Sequence, residues 1–246
     1  MKSYYIASCL FTARFPEVSI AIQEYIRSRQ DIEIVRCCIP NFKATSSENR
    51  IFQSSARPLW SLLPYSAPLQ AGDTVYSLCH NCTNIVDEQN EGVHALSLWE
   101  LIDRDPSFVY PDCSGLKAVL QDCWRTRDRA GEQAAVRSIL TKMNIEFSEA
   151  REHHENTDFC GSTLYREQRA QNAQYAPKHY VQQAAGKFLP HTEEEQLSIM
   201  REYCRQFNRQ PVVCYCHYCL EGLLQGGADG RHLAHMLLPG FRQSAR

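Results

Sequence analysis

The sequence lacks the long hydrophobic runs and basic blocks that identify several common classes of protein. No stretch of about 18 uncharged apolar residues occurs in the 246-residue chain, so we expect no membrane-spanning helix. Lysine and arginine total 26 against 28 acidic residues, and the formal net charge is −2. Because no segment concentrates the basic residues, a nucleic-acid partner is not expected.

Motifs for several familiar kinds of chemistry are also missing. The chain has no G-x-G-x-x-G after a predicted strand, no G-x-x-x-x-G-K-[ST] and no G-x-S-x-G, so nucleotide cradles and acyl-transfer nucleophiles are not indicated. Glycine and proline number 11 each, too few for a collagen-like or low-complexity chain. The apolar run after Met1 ends by Arg14 without a cleavage site, so we expect a cytoplasmic protein in a reducing compartment.

Cysteine, in contrast, is abundant, and its spacing repeats. Each half of the chain has one cysteine after a first apolar run, one or two after a second, and a C-H-x-C after a third. The members are Cys9, Cys37, Cys38, Cys79 and Cys82 in the first half and Cys123, Cys160, Cys216 and Cys219 in the second. A repeat of both the cysteine order and the histidine indicates a duplicated unit.

Short apolar runs alternate with helical patterns along the chain. The predicted strands are Tyr4–Cys9, Ile32–Cys38, Thr74–Cys79, Gly115–Cys123, Ile145–Ser148 and Pro211–Cys216. The predicted helices are Glu17–Arg29, Cys82–Gln89, Ala95–Asp103, Gly131–Met143, a helix capped by Thr192 and Glu195 that runs to Phe207, and Tyr218–Leu224. Strands separated by helices indicate parallel βαβ units.

We therefore predict an α/β fold of two tandem, pseudo-repeated, Rossmann-like halves. The halves are residues 1–105 and 106–246, the second with an insertion at about 162–210. The segment Phe42–Asp73 is predicted to be a long loop. Cysteines that follow neighbouring parallel strands should meet at the carboxyl edge of each sheet, where such folds bind ligands.

Clusters of thiolates in a reducing compartment indicate a metal site. Four or five thiolates select zinc or an iron–sulfur cluster, and a C-x-x-C at a helix N-terminus favours the thiolate form. The five cysteines of the first set exceed the four ligands of tetrahedral zinc, so a cluster is favoured there, with zinc as the alternative. The four of the second set would satisfy a cubane 4Fe-4S cluster or a zinc ion.

The remaining cysteines have weaker signals. Cys214 lies two residues before Cys216, and it is either a fifth ligand of the second set or a buried small hydrophobe. Cys113 and Cys204 match nothing in the repeat. For Cys204, which falls in a predicted amphipathic helix, we predict packing in the core.

The histidines divide into those inside the repeat and those outside it. His80 and His217 either donate hydrogen bonds to sulfur and protonate a product thiol, or simply cap exposed turn groups. Of the two, His80 is our candidate general acid because it adjoins Cys79. His232 and His235 have helical spacing, and a solvated or core-edge helix face is predicted for them.

The doubled order C…CC…CxxC resembles the cysteine-rich CCG-domain family, whose best-known member is the cysteine-rich component of heterodisulfide reductase. The resemblance extends from Tyr4 to about Leu224 and includes Asp122-Cys123 and Cys160-Gly161. Ile39 stands where the first motif of the family has glycine, and Phe159 stands where the second has its first paired cysteine. Both C-x-x-C motifs carry histidine where the family often has proline.

The resemblance implies a noncubane 4Fe-4S cluster on the first set, able to act on a disulfide substrate. It implies a redox subunit like that component of heterodisulfide reductase, and a second cluster or zinc on the second set. Because no motif for flavin or nicotinamide occurs, electrons would come from ferredoxin-like iron–sulfur and flavoprotein subunits. A zinc-stabilised scaffold protein of the same fold, without redox activity, is the alternative.

Overall fold

The chain forms two compact units, each built around a parallel β-sheet. The computed structural model describes residues 1–29, 31–40 and 45–238. The first unit comprises Met1–Leu98 together with Leu238, and the second comprises Trp99–Leu237. Each unit contains one four-stranded sheet in which every pair of neighbouring strands is parallel. The predicted α/β fold with two parallel-sheet halves is confirmed.

The sheet of the first unit has the strand order β2-β1-β3-β4. Its strands are β1 (Ser3–Ile6), β2 (Ile32–Val35), β3 (Thr74–Ser77) and β4 (His94–Ser97). The helices that begin in this unit are α1 (Cys9–Arg14), α2 (Pro16–Arg27), α3 (Thr45–Phe52), α4 (Arg57–Leu62), α5 (His80–Gln89) and α6 (Leu98–Arg104). The strand order reverses between β1 and β3, which is the place where open parallel sheets bind ligands.

The sheet of the second unit repeats this arrangement in the order β6-β5-β7-β8. Its strands are β5 (Lys117–Gln121), β6 (Glu146–Glu149), β7 (Val212–Cys214) and β8 (Gly230–His232). Its helices are α7 (Ala130–Lys142), α8 (Ala170–Tyr175), α9 (Glu193–Cys204), α10 (His217–Gln225) and α11 (Leu233–Leu237). The equivalent reversal therefore falls between β5 and β7.

Burial of the central strands explains why they are short and apolar. All three residues of β7 are fully buried, as are most of those in β1 and β5. A parallel strand that is covered on both faces needs apolar side chains at successive positions rather than at alternate ones. The continuous apolar runs of the sequence correspond to these strands.

The predicted capping box of α9 is confirmed. The backbone N–H of Glu195 donates to the Thr192 hydroxyl at 3.3 Å, and the Glu195 carboxylate accepts from the backbone N–H of Thr192 at 2.8 Å. The helix ends at Cys204 and is followed by a short 3₁₀ turn, Arg205–Phe207. Cys204 is buried, which confirms its predicted place in the core.

Among the described residues, no helix is both long and apolar enough to cross a bilayer.

Three local predictions are wrong. The segment Ala95–Asp103 is not one helix, because its first residues belong to β4 and α6 begins only at Leu98. A four-residue apolar run cannot distinguish the two periodicities, and pairing with β3 decides in favour of the strand. Similarly, His232 and His235 do not share a helix, since His232 lies in β8, fully buried, and only His235 lies in α11.

The third correction concerns the predicted loop Phe42–Asp73. It contains two helices, α3 and α4, and Trp60 of α4 is fully buried. Pro58 lies in the first turn of α4, where proline is tolerated, and Pro64, Ser66 and Pro68 follow the end of that helix. Residues 41–44 of the segment lie outside the described part of the chain.

Candidate metal centre

The second unit brings its four matched cysteines together in a dry interior. The sulfurs of Cys123, Cys160, Cys216 and Cys219 all lie within 4.8 Å of one another. Each of the four residues is at most 3% exposed, and all are thiols rather than halves of a disulfide. Four convergent sulfurs are the ligand set of a tetrahedral metal site. The second unit can therefore bind a metal ion at this position.

The parallel sheet explains this convergence. Cys123 comes two residues after β5, and Cys216 comes two residues after β7, its hydrogen-bonded neighbour. Cys216 is also the N-cap of α10, so Cys219 lies in the first turn of that helix. Cys160 arrives from the connection after β6, the neighbour on the other side of β5. The ends of two adjacent strands, the N-terminus of α10 and the connection that follows β6 thus supply the four sulfurs.

Burial and one cation set the electrostatics of the four thiols. Burial raises the pKa of Cys123 and of Cys219 well above the usual range. Burial also acts to raise the pKa of Cys160, but hydrogen bonds from Cys123 and Cys219 and the charge of Arg125 outweigh it, and that pKa is lowered. Thiols held neutral by burial release protons when a cation binds them.

A buried carboxylate ties two of the ligand segments together. Asp122, fully buried just before Cys123, accepts hydrogen bonds from the hydroxyl of Tyr215 at 2.6 Å and from Nη2 of Arg137 at 2.7 Å. Tyr215 in turn precedes Cys216. Burial opposes ionisation of Asp122, but these bonds and one from a backbone N–H outweigh it, so its pKa is lowered. The ionised carboxylate holds the residues before both ligands in place.

A close backbone approach positions Cys160. Gly161 has a φ of +61°, and a Cβ on it would lie 2.1 Å from the carbonyl oxygen of Tyr218 in α10. Only glycine allows the Cys160 segment to come this close to the helix that carries Cys219. The glycine after the cysteine in the second motif therefore has a packing role.

The first set also lies at the carboxyl edge of its sheet, but its sulfurs are less closely grouped than those of the second set. Thiol contacts join Cys38 to both Cys37 and Cys82, and Cys82 to Cys79. The hydrogen bond that the Cys79 thiol donates to Cys82, and then burial, raise the pKa of Cys79. Within the described part of the chain, the sulfurs that all lie within 4.8 Å of one another are those of the second set. Cys9 and Cys38 are partly exposed.

The residues outside the two sets have distinct places. Cys214 is fully buried, with its sulfur 3.8 Å from the carbonyl oxygen of Cys216, and it is not one of the four grouped sulfurs. Cys113 is partly exposed. His80 and His217 are both buried at the first position of a helix, α5 and α10 respectively, beside the cysteine that begins each C-x-x-C.

Two residues that shape the centre, Tyr215 and Arg125, are not identified as such from the sequence, because they act through contacts with residues far away in the chain. Asp122 is part of the family resemblance, but its partners do not follow from spacing. A further group, Glu149, His153 and His154, also lies within 4.8 Å. Arg137 donates hydrogen bonds to both carboxylate oxygens of Glu149. Glu149 is therefore an ion-pair partner of Arg137 rather than an available metal ligand.

No family model, curated protein or solved structure matches this chain. The geometry of the two cysteine sets is therefore what supports a function.

The close approach at Gly161 predicts a large effect of added volume. Gly161→Ala should lower the free energy of unfolding by about 1–3 kcal/mol from the backbone clash, in addition to the strain of its positive φ. Gly186→Ala is the matched control, because Gly186 has a φ of +75° with nothing within 4 Å of its Cβ position. Urea unfolding followed by tryptophan fluorescence measures both. Equal losses in the two variants would contradict the packing role of Gly161.

The buried carboxylate predicts a second difference in stability. Asp122→Ala leaves Arg137 and Tyr215 without their buried partner, and the loss should be about 3–5 kcal/mol. The control is Glu146→Ala, which removes an exposed ion pair with Lys117 and should cost at most about 1 kcal/mol. The same urea experiment applies. A loss for Asp122→Ala no greater than that of the control would show that the network does not stabilise the unit.

Proposed function

We propose that this chain is an iron–sulfur redox subunit, similar to the cysteine-rich component of heterodisulfide reductase, that reduces a disulfide or relays electrons at its first cysteine set. The observation that carries the proposal is the difference in access between the two sets. Cys9 and Cys38 of the first set are partly exposed, whereas all four members of the second set are buried. Closed thiolate sites are typically structural, and sites that react with a substrate keep an accessible position.

The ligand number of the first set fits a cluster better than a single ion. Five cysteines follow β1, β2 and β3, and Cys79 and Cys82 lie at the N-terminus of α5, where the helix dipole favours thiolate. A single tetrahedral ion uses only four of the five. These residues would hold a 4Fe-4S cluster, which when bound would pass electrons, one at a time, from a donor to a disulfide bond.

Reduction of a disulfide to two thiols consumes two electrons and two protons. The electrons would come from partner iron–sulfur and flavoprotein subunits. His80 would supply one proton, because it lies at the first position of α5, next to Cys79, and solvent would supply the other. Because Cys9 and Cys38 are partly exposed, a substrate would approach the first set from the side of these two residues.

A second candidate, a zinc-stabilised scaffold, has its own supporting observation. Sulfurs bound to one tetrahedral zinc at about 2.3 Å lie roughly 4 Å apart, which agrees with the 4.8 Å limit for the second set. In a cubane cluster each cysteine binds a different iron, so its sulfurs lie farther apart. For the second set we therefore propose a single ion, with zinc as the first choice.

Metal analysis of protein purified without oxygen separates these functions. We expect iron with acid-labile sulfide and a broad visible absorption from the first set, together with a second metal bound by the other set. Cys79→Ser should remove most of the iron and sulfide, and Cys216→Ser should remove the second metal, because each change removes one ligand. Cys113→Ser is the matched control, since Cys113 belongs to neither set, and it should retain both metals.

The scaffold is the better account if the wild-type protein is colourless and contains zinc but no iron. Equal metal loss in all three variants would contradict the assignment of ligands. If iron is retained in Cys79→Ser and lost in Cys216→Ser, the cluster is bound by the second unit, which would contradict its assignment to the first.

A further inference from the structure

Beside the second cysteine set lies a buried cation that the proposed function does not use. Arg125 is 2% exposed, and its Nε donates to the sulfur of Cys160 at 3.1 Å. Its backbone N–H donates to the sulfur of Cys123 at 3.4 Å. Removing a guanidinium from water costs several kcal/mol unless it gains strong interactions inside the protein. Two of the four candidate ligands accept hydrogen bonds from this one residue.

Aromatic rings enclose the rest of the guanidinium. Its central carbon lies 5.2–5.9 Å from four ring centroids, those of Trp124, Tyr180, Phe188 and Tyr218. The negative faces of such rings attract a cation, most strongly where water is excluded. Tyr180 and Phe188 come from the long connection between β6 and α9. This connection therefore encloses Arg125 against the sulfurs.

The charge of the thiol set explains why a cation belongs here. Four thiolates carry two more negative charges than a divalent ion neutralises, and an uncompensated charge is expensive in a dry interior. Hydrogen bonds to ligand sulfur also draw electron density from it, which changes metal affinity and the energy of sulfur-to-metal electronic transitions.

We propose that Arg125 is the built-in counter-cation of the second metal site, a positioning residue that fixes Cys160 and offsets one of the two surplus negative charges of the bound tetrathiolate. This inference rests on the proposed metal site of the second unit, and it does not depend on redox activity in the first. The aromatic rings around Arg125 keep its positive charge in contact with the sulfur of Cys160. The site should consequently lose metal affinity when this charge is removed.

Titration of the full-length apoprotein with Co²⁺ under anaerobic conditions tests the proposal. Arg125→Met keeps a long apolar side chain but removes the charge and the donors. We expect its Co²⁺ affinity at the second site to fall about 10- to 100-fold, the usual effect of losing a partner of a metal ligand. The sulfur-to-cobalt charge-transfer band should move to longer wavelength, because sulfur without its hydrogen bond is a better electron donor. Every protein also carries Cys37→Ser, Cys79→Ser and Cys82→Ser, which leave the first set only Cys9 and Cys38, so the cobalt signal reports the second set.

Arg127→Met is the matched control. The guanidinium of Arg127 also packs on Trp124, 4.5 Å from the ring centroid. It donates hydrogen bonds to the carbonyl of Trp124 and to the side chain of Gln183. Its loss should leave cobalt affinity and the band position close to those of the parent protein. An equal effect of the two methionine variants would show that the aromatic surroundings matter and the contact with sulfur does not.

The remaining outcomes are also decisive. The proposal is overturned if a folded Arg125→Met protein binds cobalt within threefold of the parent affinity and its charge-transfer band is unshifted. The proposed metal site itself would then still stand. If circular dichroism shows that Arg125→Met does not fold, Arg125→Gln decides, since it removes the charge and keeps a polar donor of similar length. That variant should also bind cobalt at least tenfold more weakly than the parent, and parent-like affinity contradicts the proposal. If the parent binds no cobalt, the metal site itself is wrong and the role of Arg125 falls with it.

Discussion

Both cysteine sets depend on the parallel pairing that brings the ends of three neighbouring strands to one edge of a sheet. In each unit the central pair, β1 with β3 or β5 with β7, ends two or three residues before a cysteine. The third strand of each group contributes the residues that follow β2 or β6. Antiparallel pairing would send alternate strand ends to opposite edges, and the sulfurs would not meet. The grouping of the sulfurs therefore depends on the parallel topology of each sheet.

The two units differ in how deeply their grouped cysteines are buried and in which charged residues contact them. The second unit buries four thiols, adds Arg125 as a cation and uses Asp122 to join the segments that carry Cys123 and Cys216. The first unit leaves Cys9 and Cys38 partly open to solvent. Burial and charge compensation favour a permanently held metal, whereas access favours reaction with a substrate. A duplicated unit can in this way provide one structural site and one reactive site.

The sequence predicts the parts of the structure that local pattern controls. Apolar runs before Cys9, Cys79, Cys123 and Cys216 indicate the strands, and the repeated C-H-x-C indicates the strand-to-helix turns. Local pattern is insufficient for β4 and β8, where three or four residues form a strand only because a neighbour pairs with them. Ligand number ranks the five-cysteine set first, whereas the tighter grouping of sulfurs is that of the second set, because distance depends on packing. Arg125 has no local signal for the same reason, since its partners Cys160 and Tyr218 lie 35 or more positions away.

The most direct test of this account is to locate the metal by anomalous diffraction from crystals of the full-length, metal-loaded protein. The second unit should show one anomalous peak bonded to the sulfurs of Cys123, Cys160, Cys216 and Cys219, at about 2.3 Å if the ion is zinc. The Nε of Arg125 should remain in contact with the sulfur of Cys160. A metal bound elsewhere in the second unit, with these four sulfurs left as unbound thiols, would contradict the account.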